Sequence, residues 1–268
     1  MPYWPKTSRR RKDMKKIITF FLLVLLAVPF NAQAAGDAVE LEEQNWHFDG
    51  PFGTFDRGAL QRGFQVYTQV CAACHSMKYL SYRNLSDLGY TEAKIKAIAA
   101  QNTILDYKEL DEEGEPTERP MRPSDRFKNP YINDQQAKYA NNGALPPDLS
   151  LIDKARGGGA DYIYGLLTGY TEPPEGETLG AGQHWNKVMA GHKIAMAAPL
   201  SDDVVAYEDG SPTTLSQYSK DVSEFLMWAA EPKMEVRKQT GLKVLLYLFV
   251  FWCIMWAVKR KIWADVKK

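Results

Sequence analysis

The chain has 268 residues, and its 33 Lys and Arg side chains balance 33 Asp and Glu side chains, so its formal net charge at pH 7 is zero. The balance conceals a split, because residues 35–231 hold 17 basic and 30 acidic side chains, a difference of −13. Such an acidic segment repels nucleic acid and attracts basic partners, which excludes a nucleic-acid-binding function.

The N-terminal residues have the three parts of a secretory signal. A basic segment over Arg9–Lys16 precedes an apolar run over Ile17–Phe30, and a small-residue cleavage site follows it. The apolar run is short for a membrane-spanning helix, although an uncleaved anchor is the alternative interpretation. We expect residues 1–34 to be a cleaved signal peptide and residues 35–231 to form one exported domain.

The first predicted helix of that domain covers Gly58–Val70, where apolar side chains recur at helical spacing. The motif Cys71-x-x-Cys74-His75 follows it directly. This spacing fits half of a zinc site, a dithiol redox centre, or the covalent attachment of haem c.

Haem attachment explains more of the sequence than the other two chemistries. A zinc site needs a second ligand pair, and the remaining candidates, which form no such pair, are His47, His184, His192 and Cys253. A dithiol centre opens a helix after a strand, whereas this motif ends a helix. In a c-type haem site both thiols form thioethers and the adjacent imidazole binds the iron, which leaves the exported domain without a disulfide.

The rest of the domain is predicted to be mainly helical with long loops. Further helices are expected over Thr91–Gln101, Asp161–Thr168 and Thr213–Ala230. The acidic segment 106–125 is expected to be a surface excursion, and a merely solvating loop is the alternative interpretation. No internal repeat is present.

The C-terminal residues predict a membrane anchor. The run from Leu242 to Val258 is apolar apart from Lys243, and with its flanking turns it is long enough to cross a bilayer. The basic residues at 259–261 place the C-terminus in the cytoplasm by the positive-inside rule. We therefore expect residues 232–268 to form one transmembrane helix with a short cytoplasmic tail.

A haem iron bound by His75 needs a second axial ligand or an open site. The candidates that remain after the core and anchor methionines are set aside are Met121, Met189, Met196, His184 and His192. Spacing favours Met196, because Pro199 follows it in a loop-like stretch that can present a ligand on a rigid turn. A thioether raises the haem potential, and two filled axial positions leave electron transfer as the function of the iron.

Four stretches of the sequence together resemble the cytochrome c1 family. They are VCAACHSMKYLSYRNL, ANNGALPPDLSLIDKARGGGADYIYGLLTGY, IAMAAPL and DVSEFLMWAAEPKMEVRKQTGLKVLLY. The similarity runs in order from about Trp46 to Trp263, and NNGALPPDLS and FLMWAAEP are far more specific than C-x-x-C-H. One departure is Ala198, where relatives often have a proline.

The resemblance implies a set of haem-binding residues. Cys71 and Cys74 would carry the thioethers, His75 would be the proximal iron ligand and Met196 the second axial ligand. The residues implied at the haem propionates or in the wall over the haem are Arg156, Asn141, Tyr162, Pro146 and Pro147.

The resemblance also implies a fold and a function. The fold is a mainly α c-type cytochrome domain with long loops plus one C-terminal transmembrane helix. The function is that of the haem c subunit of the cytochrome bc1 complex, a quinol–cytochrome c oxidoreductase, expected as a dimeric complex in the bacterial inner membrane with the haem domain in the periplasm. The chain would carry one electron from the Rieske iron–sulfur protein to a soluble or tethered cytochrome c, while cytochrome b transforms the quinol.

Two other functions stay open from the sequence. One is a membrane-anchored monohaem cytochrome that feeds a terminal oxidase directly. The other is a haem peroxidase or sensor with an open iron site.

Overall fold

The computed structural model describes residues 41–265, so the predicted signal peptide lies outside the described residues. This part of the chain is mainly helical, as the sequence predicts, with two small antiparallel sheets. The helices are α1 Arg57–Gln69, α2 Glu92–Ala100, α3 Asp134–Ala140, α4 Ile152–Ala155, α5 Gly159–Thr168, α6 Leu215–Ala230 and α7 Met234–Ile262. The strands are β1 Thr103–Leu110, β2 Pro116–Pro120, β3 His184–Trp185 and β4 Lys193–Ile194, and 3₁₀ turns cover Cys71–Ala73 and Tyr82–Leu88.

Helix α1 begins where the Asp56 carboxylate accepts a hydrogen bond from the Gly58 amide at 2.9 Å, a typical N-terminal cap. Its buried face carries Leu60, Phe64 and Tyr67, all at most 5% exposed. The helix ends at Gln69, so the predicted bounds are correct to one residue at each end. The C-x-x-C-H motif therefore begins two residues after the last residue of α1, next to the buried face of that helix.

Helix α6 is the centre of the core and packs against α1, α4 and α5. The Thr214 hydroxyl caps it by accepting from the Gln217 amide at 3.3 Å, which is why the helix starts two residues after the predicted Thr213. Phe225 and Trp228 are at most 1% exposed. Truncating such a buried aromatic side chain to alanine costs about 3–5 kcal/mol.

An ion pair closes the interface between α1 and α6. The Arg62 guanidinium donates to both oxygens of Asp221, at 2.9 Å each, and Asp221 is 1% exposed. The Tyr207 hydroxyl donates to the same carboxylate at 2.9 Å. A buried carboxylate needs such partners, because an unpaired buried charge is strongly destabilising.

The segment 106–125, expected to be a surface excursion, forms two strands that the sequence did not predict. Strands β1 and β2 form an antiparallel hairpin, and the Asp111 amide donates to the Glu115 carbonyl at 2.9 Å across its tip. Arg119 ties the base by donating to Asp106 and Asp125, at 2.7 Å each. Most side chains on both faces of the hairpin are exposed, so the alternation that marks a half-buried strand is missing from the sequence.

Helix α7 is 29 residues long and apolar enough to cross a membrane, as the sequence predicts. Its length of roughly 44 Å exceeds the hydrocarbon thickness of a bilayer, about 30 Å. The polar first turns are held by the domain: Glu235 accepts from the Phe55 amide at 2.8 Å and from Arg57 at 2.7 Å. Lys238 donates to the Gly53 carbonyl at 3.2 Å. The start of the anchor is therefore fixed against the loop that precedes α1.

Candidate functional site

The C-x-x-C-H motif forms a compact 3₁₀ turn at the end of α1, as predicted. The amides of Cys74 and His75 both donate to the Cys71 carbonyl, at 3.1 and 2.9 Å. Both thiols are free, and burial, with a contribution from Cys74, raises the pKa of the Cys71 thiol to about 12. A reactive dithiol centre needs a lowered thiol pKa, so this turn does not fit a redox dithiol.

The His75 imidazole is oriented by the Pro147 carbonyl oxygen, which lies 2.9 Å from Nδ1. A carbonyl oxygen can only accept, so Nδ1 carries the proton and Nε2 is the nitrogen left to bind a metal. Burial lowers the pKa of His75, although the Pro147 carbonyl and Asp148 oppose this effect. The ring is therefore neutral at pH 7, which is the form that ligates iron.

Two segments far apart in the sequence meet behind this histidine, residues 75–79 and residues 147–150, which we call the ligand seam. The Leu149 amide donates to the Ser76 carbonyl at 2.9 Å, and the Tyr79 amide donates to the Ser150 hydroxyl at 3.1 Å. Asp148 accepts from the Ser76 hydroxyl at 2.7 Å. The seam fixes the peptide that follows the motif.

Sequence reasoning missed Asp148 and assigned Pro147 only a place in the haem wall. The Ser150 amide donates to Asp148 Oδ1 at 2.9 Å, two residues on, which is the geometry of an Asx turn. An Asp two residues before a Ser was the available signal. It predicts the local turn but gives no indication of contacts with Ser76, 72 positions away.

The three loop methionines differ in what their sulfur atoms contact. The Tyr82 hydroxyl lies 3.9 Å from Met121 Sδ, in the core, and the Tyr162 hydroxyl lies 3.7 Å from Met189 Sδ. Among residues 41–265, no hydrogen-bond donor contacts the sulfur of Met196. This difference favours Met196 as the iron ligand, because its lone pairs are not directed to a tyrosine.

Met196 is half-buried in the loop after β4, and its backbone is fixed. The Tyr170 hydroxyl donates to the Met196 carbonyl at 3.0 Å. The preceding β3–β4 hairpin is held to α5 by Asn186, which is fully buried and donates to the Leu166 carbonyl at 2.7 Å. These contacts suit a ligand presented from a fixed loop.

The residues implied at the propionates lie on different elements. Arg156 follows α4 with an exposed guanidinium, which forms an ion pair with no carboxylate in the described part of the chain. Its fork is suited to a carboxylate ligand. Asn141 ends α3, and its amide donates to the Tyr131 hydroxyl at 3.0 Å and to the Ala137 carbonyl at 2.7 Å. Both N–H groups of Asn141 are thus used within the protein, so its proposed contact with a propionate stays a prediction.

Apart from the backbone hydrogen bonds within the Cys71–His75 turn, His75 and Pro147 are the one pair of predicted site residues that a hydrogen bond joins within residues 41–265. Two free thiols and a neutral imidazole with a free Nε2 on one turn fit haem c. Over the same residues no group of three or more His, Cys, Asp or Glu side chains could hold a metal ion. Bound haem c supplies an iron centre that gains and loses one electron.

A mainly helical domain with C-x-x-C-H at the end of a helix and a histidine held through Nδ1 has the arrangement of a c-type cytochrome, here followed by a candidate membrane anchor. The model of the Cytochrome C1 family matches residues 46–266. The chain therefore belongs to the cytochrome c1 family, whose members carry covalently bound haem c.

Curated relatives agree with this assignment. The chain is 43% identical over 260 residues to Cytochrome c1 of Rhodospirillum rubrum, covering 91% of this chain and 95% of that protein. It is 48% identical over 223 residues to the mitochondrial Cytochrome c1, heme protein, of Saccharomyces cerevisiae, covering 83% of this chain and 72% of that protein. It is 47% identical over 242 residues to Cytochrome b/c1 of Bradyrhizobium diazoefficiens, covering 82% of this chain but 35% of that longer protein.

Proposed function

We propose that this chain is the electron-carrying subunit of a cytochrome bc1 complex, a quinol–cytochrome c oxidoreductase. Its haem c takes one electron at a time from a Rieske iron–sulfur protein and passes it to a soluble or tethered cytochrome c. The observation that carries the proposal is the His75 imidazole, fixed through Nδ1 by the Pro147 carbonyl on a C-x-x-C-H turn inside the family match. The chain carries electrons and does not itself transform the quinol.

Cytochrome b is the proposed partner that oxidises the quinol. The name Cytochrome b/c1 of one relative supports this pairing. We place both proteins, with the Rieske protein, in a dimeric complex.

Four residues hold the haem in this proposal. Cys71 and Cys74 would form the thioethers, and His75 and Met196 would bind the iron. Within residues 41–265 neither the Met196 sulfur nor His75 Nε2 has a hydrogen-bond partner, which supports this ligand pair.

Four further residues shape the haem environment. Arg156 neutralises a propionate, and its exposed guanidinium, which pairs with no carboxylate among residues 41–265, supports this role. Asn141 and Tyr162 lie near the propionates. Pro147 contributes to the wall over the haem as well as the carbonyl that orients His75.

The proposed location is the bacterial inner membrane. Residues 1–34 are a cleaved signal, residues 35–231 form the periplasmic haem domain, and residues 232–268 contain the single anchor and a cytoplasmic tail. The basic residues at 259–261, in the last turn of α7, support this orientation through the positive-inside rule.

Purification of the full chain in mild detergent tests the proposal. One haem should remain on the chain after denaturation and solvent extraction, and cytochrome b and the Rieske protein should co-purify. The matched control is the double variant Cys71→Ala and Cys74→Ala, which should keep no haem through extraction. A wild-type chain without attached haem, or one that purifies as a lone cytochrome, contradicts the proposal.

A further inference from the structure

Asp148 accepts hydrogen bonds from both sides of the ligand seam. Its Oδ2 accepts from the Ser76 hydroxyl at 2.7 Å and from the Lys78 amide at 2.9 Å. Its Oδ1 accepts from the Ser150 amide at 2.9 Å. One half-buried carboxylate thus joins the peptide after the iron-binding histidine to the peptide after Pro147.

The position of the Pro147 carbonyl depends on this carboxylate. Proline has no N–H, so neither Pro146 nor Pro147 can hold its own peptide by donating a hydrogen bond. The contacts that fix the chain next to the Pro147 carbonyl are those of Asp148 and of the Leu149 amide, which donates to the Ser76 carbonyl at 2.9 Å. Because the Pro147 carbonyl lies 2.9 Å from His75 Nδ1, whatever fixes it also fixes the imidazole.

We propose that Asp148 is a positioning residue for the axial histidine, which holds the Pro147 carbonyl against His75 Nδ1 and places a negative charge behind the ring. The inference rests on the proposed haem function of this turn and assigns part of its redox tuning to a residue that touches neither iron nor haem. Burial raises the pKa of Asp148, but hydrogen bonds from Ser150, the Lys78 amide and Ser76 outweigh it and hold the pKa below its usual value. The carboxylate is therefore charged at neutral pH.

Both effects of Asp148 act in the same direction on the haem. A hydrogen bond from Nδ1–H makes the opposite ring nitrogen a stronger donor, which stabilises the oxidised iron. A negative charge near the ring also stabilises the oxidised state, with a weaker effect where solvent screens it. Loss of Asp148 should consequently raise the reduction potential.

The experiment compares Asp148→Asn with Asp125→Asn in the full chain within its detergent-solubilised complex. Asp125 is also half-buried and also accepts from a backbone amide, that of Arg122, and it accepts from the Arg119 guanidinium as well, but it lies outside the seam. Redox titration should show that the haem potential rises by about 59 mV in Asp148→Asn, which is a tenfold change in the one-electron equilibrium constant. Asp125→Asn should show no shift of the haem potential. Hydrogen exchange at the Lys78 amide should accelerate in Asp148→Asn alone.

Ser76→Ala is the second variant, because it removes the 2.7 Å contact while Asp148 keeps its charge. It should raise the potential by less than Asp148→Asn does. If the haem potential is that of wild type in both Asp148→Asn and Ser76→Ala, the inference is overturned. If Asp148→Asn does not accumulate, a wild-type potential in Ser76→Ala is enough to overturn it. If wild-type protein carries covalent haem but the variants show no shift of the haem potential, the inference fails and the proposed function is unaffected. If wild-type protein carries no haem, the proposed function itself is contradicted.

Discussion

Gly63 on α1 and Asp221 on α6 lie so close that a Cβ atom at position 63 would come within 2.1 Å of the Asp221 carbonyl oxygen. The next nearest obstacle is the Phe225 Cβ atom at 2.6 Å. Both belong to the central helix of the core, so neither can move without displacing other buried groups. Helices α1 and α6 therefore cross at a glycine.

Gly63→Ala is expected to destabilise the domain by about 1–3 kcal/mol or more, because an extra methyl group at a packed helix crossing forces the backbones apart. Gly58→Ala on the same helix is the matched control, since its nearest contacts are the side-chain ends of Asp56 and Arg62, at 3.3 and 3.4 Å. It should change the free energy of unfolding by less than about 1 kcal/mol. Thermal unfolding of both variants measures the difference, and equal midpoints would contradict the tight crossing.

Asp153 predicts a pH dependence of stability. It is 3% exposed, both of its carboxylate oxygens lack a hydrogen-bond partner within residues 41–265, and burial raises its pKa to about 8. Its neighbour in the sequence, Lys154, pairs with Glu231 at 3.1 Å. The carboxyl is thus neutral in the folded protein at pH 7.

A folded-state pKa above the unfolded value means that the folded protein holds the proton more tightly. The contribution of Asp153 to the free energy of unfolding is fully present below the pKa of the unfolded state, about 4. It is lost as the pH rises towards 8, by at most about 1.4 kcal/mol per pH unit. Asp153→Asn should therefore gain stability over wild type between pH 5 and pH 8 in thermal unfolding. Asp125→Asn is the control, because the pKa of Asp125 is lowered, chiefly by Arg119, and its contribution changes only at acidic pH. Parallel wild-type and Asp153→Asn profiles would show that the carboxyl is not buried as described.

Sequence patterns predicted helices α1, α2 and α6 well because each has a buried stripe and a capping residue. Thr91 and Thr214 accept hydrogen bonds from backbone amides at the helix starts, so periodicity and capping agree there. The β1–β2 hairpin was missed for the opposite reason, since most of its side chains are exposed on both faces. Periodicity carries information only where one face is buried.

The site could be predicted only in part. The thiols and the imidazole were found because their spacing along the chain is fixed by the chemistry of attachment. The Pro147 carbonyl and Asp148 act on the histidine from 72 residues away, through a backbone atom and through contacts that only the fold creates. Asp153 was unremarkable in the sequence, because its burial follows from how α4 packs against α5 and α6.

Met196→Ala tests the second iron ligand. Loss of a thioether ligand should lower the haem potential by more than about 59 mV, which is a tenfold change in the one-electron equilibrium constant. It should also allow carbon monoxide to bind the iron. Met189→Ala is the matched control, because the Met189 sulfur already faces the Tyr162 hydroxyl at 3.7 Å and should not contact the iron. Redox titration and carbon monoxide difference spectra measure both effects. An unchanged potential in Met196→Ala would remove Met196 from the site.

The acidic balance of residues 35–231, 17 basic against 30 acidic side chains, predicts electrostatic steering of a basic electron acceptor. The Debye length falls from about 30 Å at 0.01 M salt to about 8 Å at 0.15 M, so long-range attraction is largely screened at the higher concentration. The second-order rate of electron transfer to a basic cytochrome c should then fall by roughly tenfold or more. Stopped-flow oxidation of the reduced haem measures this rate, with a neutral small-molecule oxidant as the control whose rate should not respond to salt. If the rate with the basic cytochrome c is also independent of salt, the net charge of the domain does not steer its acceptor.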